Sequence, residues 1–125
     1  MRSMHLLDTS ILVPILRKDE RALAWLEANG DNSRMSVVSL TELYLGVRRQ
    51  REARDLVQLE GRVPPLAIDR DIAVRAGVFV RHYGASHSVE IPDAIIAATA
   101  EHHGLRLATL NVKHFPMFPR LKPAY

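Results

Sequence analysis

The 125-residue chain contains no cysteine. That excludes disulfide staples, thiolate nucleophiles and cysteine-ligated metal, and it agrees with a reducing cytoplasm; histidine nitrogen and carboxylate oxygen remain as metal donors. Aromatic residues make up only 6% of the chain, too few for a surface that stacks successive nucleic-acid bases. No apolar run approaches the length of a membrane span, and the opening "MRSMHLL" is interrupted by Asp8 before it could form a signal-peptide core. A soluble cytoplasmic protein without a membrane partner is therefore expected. Glycine fingerprints for phosphate are missing as well: no glycine follows the first strand-like run and no G-K-[ST] occurs, so dinucleotide-binding and P-loop functions drop away. No repeat, low-complexity tract or linker interrupts the chain.

What is present suffices for one domain over residues 1–125, because 47% hydrophobic residues can build a real core at this length. The net charge of +3 and pI of about 9.7 favour phosphate-bearing partners without requiring them. The cations are uneven. "GVRRQREAR" carries Arg48, Arg49, Arg51 and Arg54 against the single acid Glu52. It reads either as a solvated helix end, where cations suit the C-terminal dipole, or as an edge that grips RNA phosphates.

Short strand-like runs alternate with longer helix-like ones, the pattern of a layered α/β domain with a mostly parallel sheet. Strands are expected at residues 5–7, 34–38, 63–68 and 105–109. Leu40, Leu43, Tyr44 and Val47 recur at helical spacing, as do Ile72, Ala76, Phe79 and Tyr83, which marks them as core faces. Residues 92–103 form the clearest helix, with Pro92 suited to the first turn and Gly104 ready to close it. Pro14 implies that a helix begun at Ser10 is kinked or starts later. "NGDNS" at 29–33 and "YGASHS" at 83–88 are expected to be loops. Trp25, Phe79 and Tyr44 read as core or dimer contacts.

Three acids occupy places where strand gives way to helix: Asp8 after the first strand, Glu42 after the second, and Asp93 at the start of the clear helix. Each has an ordinary explanation. Asp8 could cap a helix, Glu42 could close a capping box with Ser39 in "SLTE", and Asp93 could complement a helix dipole. Asp19 and Asp69 look equally like helix-start acids. Convergence would set the three apart, since ligands of open parallel sheets gather beyond the carboxyl ends of the strands. Two carboxylates about 5 Å apart repel by roughly 3 kcal/mol at an effective dielectric near 20, so three would need a cation to stay ionised together. An all-oxygen set suits Mg²⁺ or Mn²⁺, and with it phosphodiester hydrolysis by an activated water. Thr9 and Ser10 directly follow Asp8, and Thr109 closes the last strand-like run; their hydroxyls could orient the acids or a water, while His114, His102 and His103 read as loop or helix-end histidines.

"LLDTSILVPIL", "SVVSLTELYLGVRR" and "IPDAIIAATAEHHGLRLATLNVKHF" together resemble the PIN-domain ribonucleases, most closely the VapC-type toxins of bacterial toxin-antitoxin pairs. The D-T-S opening, E-L-x-x-G segment, D-A-x-I-A-A-T-A helix and T-x-N-x-x-x-F stretch arrive in family order and span nearly the whole chain. The resemblance implies a three-layer α/β/α sandwich whose pocket of Asp8, Glu42 and Asp93 binds Mg²⁺ or Mn²⁺ and cleaves RNA as an endonuclease. It also implies a homodimer, a cognate antitoxin whose tail covers the pocket, and operator DNA reached through that antitoxin. Many relatives carry a further acid where this chain has Asn111; an amide oxygen there can orient a water but brings no charge, and Asn111 reads equally well as a turn residue. A PIN module that binds RNA or protein without cutting, a housekeeping RNA-processing nuclease, and a phospho-acceptor domain are the alternatives; the last lacks an acidic pair after the first strand.

Overall fold

The computed structural model describes residues 4–125. Four strands, β1 (His5–Leu7), β2 (Ser33–Ser36), β3 (Pro65–Leu66) and β4 (Arg106–Ala108), form one sheet in the order β3-β2-β1-β4. All three pairings are parallel; Leu6 stands opposite Arg34 on one side and Leu107 on the other. Helices α1 (Thr9–Leu16) and α2 (Glu20–Asn29) join β1 to β2, α3 (Val37–Leu45) and α4 (Gln50–Arg62) join β2 to β3, and α5 (Arg70–His87) and α6 (Ile91–His103) join β3 to β4.

Successive side chains of a strand point to opposite faces of the sheet, and β1 shows it in two residues. Leu7 packs with Ile11, Leu12 and Ile15 of α1, Leu26 of α2, and Leu56 and Leu59 of α4. Leu6 packs with Ile72 and Phe79 of α5, Ile96 and Ala97 of α6, and Phe115. Both leucines are fully buried, each burial stabilising by roughly 2–3 kcal/mol relative to exposure. The result is an α/β/α arrangement. Because right-handed crossovers place helices by the direction in which the chain steps, the steps from β1 to β2 to β3 cover one face and the return to β4 covers the other. The order therefore reverses between β1 and β4, and the crevice lies beyond their carboxyl ends.

Several expected boundaries move. The second strand stops at Ser36 rather than residue 38, because Ser36 caps α3 by accepting from the Val38 amide at 3.1 Å. Ser39 thus lies inside the helix, so the Ser39–Glu42 capping box does not form. The third strand is only Pro65–Leu66, and the fourth covers residues 106–108 of the 105–109 expected. Residues 83–87 are helix, not loop: α5 runs through Gly84, whose helical cost of about 1 kcal/mol is offset by packing Tyr83 against the core. The last turn ends on Ser88 in the left-handed region at φ 55°. Within 29–33 the chain makes a single 3₁₀ turn, Gly30–Asn32. Helix α1 begins at Thr9 and carries Pro14 inside it. Tyr44 is exposed and donates to Glu60 Oε2 at 2.9 Å, so it is not a core residue, whereas Phe79 is. Among the described residues no helix is long and apolar enough to cross a membrane.

Candidate active site

Asp8 immediately follows β1, and its backbone amide still belongs to the sheet, donating to Ala108 O of β4 at 2.9 Å. It stands at the N-cap of α1, yet its side chain caps nothing. Instead Asp8 is 4% exposed and its Oδ2 accepts two hydroxyl protons, from Ser10 Oγ at 2.7 Å and from Thr109 Oγ1 at 2.8 Å. Those hydroxyls are themselves held: Ser10 Oγ accepts from the Leu110 amide at 3.0 Å and Thr109 Oγ1 from the Asn111 amide at 2.9 Å. Segments a hundred residues apart in sequence are thus tied around one carboxylate. Asp19 and Asp69 behave as ordinary caps, accepting from the amides of Ala22 at 3.0 Å and Ile72 at 2.9 Å.

Glu42 lies midway along α3, exposed, with its Oε1 accepting from Thr9 Oγ1 at 2.7 Å. Thr9 Oγ1 also stands 3.0 Å from Ser39 Oγ. Thr9 has one proton and a carboxylate only accepts, so with that proton given to Glu42 the Ser39 hydroxyl donates in the second contact. Buried Ser39 is a site residue that the capping-box reading obscured; only the structure shows it facing Thr9.

Asp93 is the third residue of α6, its side chain 25% exposed. Its pKa is pushed up to about 6, first by burial and then by the negative charge of Asp8, with smaller contributions in the same direction from Glu42 and Glu90; His114 opposes them. The three acids therefore share one electrostatic field, although burial exceeds mutual repulsion as the cause. His114 Nδ1 is 3.2 Å from Asp93 Oδ2, which replaces the expected plain loop histidine with one facing the site. The pair stands twenty-one positions apart in sequence, so nothing local signals it. His102 instead faces Asp69, at 3.5 Å.

Asn111 is exposed, and its backbone rather than its side chain reaches Thr109. Arg48 and Arg49 lie between α3 and α4, and Arg51 and Arg54 fall in the first two turns of α4. All four are exposed. Arg48 stands just past the end of α3 and its Nη1 donates to Leu45 O at 3.0 Å, so the helix-end reading holds for it, whereas Arg51 lies in the first turn of α4, where the dipole works against a cation. Glu52 Oε1 accepts from the amides of Arg48 and Arg49 at 3.1 and 2.9 Å, which fixes the turn and leaves the guanidinium groups to solvent, apart from Arg48 Nη1 on Leu45 O.

Neither Asp8 nor Glu42 has a lysine, arginine or histidine partner within 4 Å among the described residues. Nor, among those residues, are three or more histidine or acidic side chains grouped closely enough to hold a metal ion together. The donor chemistry, a buried carboxylate braced by hydroxyls with two further acids in its electrostatic field, suits a hard ion such as Mg²⁺, which is commonly held by one or two carboxylates and keeps several waters.

Residues 5–118 match the PIN domain family. The chain belongs to that family. It is 42% identical to ribonuclease VapC10 of Mycobacterium tuberculosis, over 98% of this chain and 93% of that one. A toxin-antitoxin complex from Klebsiella pneumoniae contains a chain that superposes with a TM-score of 0.82 at 28% identity, covering 97% of this chain and 98% of that one. A DNA-bound VapBC from Salmonella typhimurium gives 0.77 at 25% identity, covering 99% and 100%. This PIN domain thus has its acids where the order of the sheet reverses, at the end of β1 and on the helices that follow.

Proposed function

We propose that the protein is an endoribonuclease toxin of the VapC type, acting on RNA phosphodiester bonds and held in check by a cognate antitoxin. The carrying observation is the braced, buried Asp8 sharing a field with Asp93 and Glu42, in a chain resembling VapC10 over nearly its full length.

Asp8, Glu42 and Asp93 would hold Mg²⁺ or Mn²⁺, which when bound activates a water and offsets negative charge on the scissile phosphate. Ser10 and Thr109 keep the Asp8 carboxylate in place, and Thr9 does the same for Glu42. Arg48, Arg49 and Arg51 supply the phosphate grip: all three are exposed side by side, and Arg51 stands in the first turn of α4, where the dipole does not account for a cation. A groove of about 260 Å³ between α1, α3 and α4 pairs the apolar Val13, Leu16, Leu43 and Val47 with the charged Arg17, Glu42, Glu52 and Asp55, and suits an amphipathic antitoxin segment. Of the two structural relatives named, one is a toxin-antitoxin complex and the other a DNA-bound VapBC, which supports an antitoxin partner and operator contact through it. A cytoplasmic homodimer completes the reading; light scattering on the purified chain tests the dimer.

The deciding experiment is cleavage of RNA by purified protein with Mg²⁺ or Mn²⁺. Cleavage abolished by EDTA and by Asp93→Asn is the expected result. Activity untouched by both would overturn the proposal, and metal-independent RNA binding without cleavage would replace it with a binding module. Growth arrest on induction, lost in Asp8→Ala, tests the toxin role.

A further inference from the structure

A second cavity, of about 590 Å³, lies along the outer edge of β4 beneath the chain segment 117–124. Its size falls within the range of small-ligand pockets. β4 is an edge strand. Arg106 uses its amide on Met4 O and Ala108 its carbonyl on the Asp8 amide, so in a parallel ladder the backbone N–H and C=O of Leu107 point outward, toward the cavity it lines. The far wall is fastened by the Ala124 amide on Thr109 O at 2.9 Å.

The lining has a definite chemistry. Arg106, Arg120 and Lys122 are exposed around it, none of them in an ion pair among the described residues, and no aspartate or glutamate lines it. Trp25 also lines it, steadied by an edge-to-face contact with the His5 ring at 5.5 Å and 77°. Burial and the charge of Arg106 lower the His5 pKa, so His5 is neutral near pH 7 and the positive field comes from the three long side chains. Cations with no compensating acid call for an anion, and an indole beside them offers a flat face to a heterocycle.

We propose that this cavity binds a nucleotide, with its phosphate on Arg106, Arg120 and Lys122 and its base against Trp25. The site uses none of the three acids, so it stands whether or not they cut RNA. The nucleotide is either a free nucleoside monophosphate or one residue of an RNA strand.

Trp25 is the chain's only tryptophan, so its fluorescence reports on the cavity directly. The whole protein, with chelator present, is titrated with AMP, adenosine, inorganic phosphate and a short oligoribonucleotide, with calorimetry in parallel. Saturable binding of AMP, competed by phosphate, is expected to weaken by roughly tenfold or more in an Arg120→Glu/Lys122→Glu variant. It should be unchanged in Asp8→Asn. The charge-reversed residues are exposed, and an unaltered circular dichroism spectrum confirms the fold. Oligonucleotide binding without AMP binding, lost in the same variant, assigns the nucleotide to a strand and also supports the site. No signal by either method with AMP or the oligonucleotide, binding that survives charge reversal, or binding lost in Asp8→Asn overturns it.

Discussion

Asp93→Asn should make the metal-free protein more stable near neutral pH while destroying its activity. In the folded chain the Asp93 pKa is raised from 3.8 to about 6. Holding that carboxylate ionised therefore costs the fold up to roughly 3 kcal/mol, a figure that already contains the opposing pull of His114. Solvent reaches the side chain, which is 25% exposed, and a first-turn acid gains a few tenths of a kcal/mol from the α6 dipole, so roughly 1–2 kcal/mol remains. The folded state binds the proton more tightly than the unfolded one, so stability is full below the unfolded pKa and is lost as pH rises from 3.8 through about 6. In chelator near neutral pH the variant should melt roughly 3–8 °C above the parent, and the gap should close at about pH 4. Saturating Mg²⁺ should raise the melting temperature of the parent more than that of the variant, by mass action on the native state. A folded variant that melts no higher than the parent near neutral pH, or keeps an equal advantage at about pH 4, would refute the argument that Asp93 is a disfavoured charge.

Other substitutions separate site from scaffold. Thr109→Val removes one of the two hydroxyls on Asp8 Oδ2 and orphans the Asn111 amide; a loss of roughly 1–3 kcal/mol in denaturant melts is expected, with a drop in cleavage. Asp69→Ala removes a true cap on α5 and should cost about 1 kcal/mol while leaving cleavage intact, since its carboxylate faces Ile72 and His102 rather than the three acids. Arg48→Gln/Arg49→Gln/Arg51→Gln should leave the melting temperature nearly unchanged and flatten the salt dependence of RNA binding, by roughly 0.7 in logarithmic slope for each phosphate no longer neutralised. An unchanged slope would remove the arginines from the RNA surface.

The layered fold was legible because its signal is periodic: strand-like runs alternating with amphipathic stretches leave few arrangements other than a parallel sheet between helices. Boundaries were less legible wherever two local rules competed. Ser36 and Ser39 both qualify as caps, and sequence favoured Ser39 because Glu42 completes a familiar box; tertiary contact with Thr9 decided otherwise. Gly84 looked like a loop because glycine is a poor helix former, but the packing of Tyr83 against the core outweighs one such residue. His114 was illegible in principle, since its partner Asp93 is brought to it by the return of the chain after β4 rather than by any spacing.

The same contrast explains why Asp8 could be weighed in sequence but not decided. Asp8, Asp19 and Asp69 all precede a helix in extended backbone conformation, at φ −68°, −64° and −94°. Only Asp8 declines the cap. A capping aspartate gains about 1 kcal/mol by folding its carboxylate onto the amide three residues ahead; Asp8 forgoes that bond because Ser10 and Thr109 hold its Oδ2 from the other side. Thr109 reaches it because β4 lies next to β1, and β4 lies there because the chain reverses its direction across the sheet after β3. The carboxylate is therefore placed by topology and not by its neighbours in sequence, and the α1 N-terminus is left without a side-chain cap as the local cost of presenting an acid to the crevice.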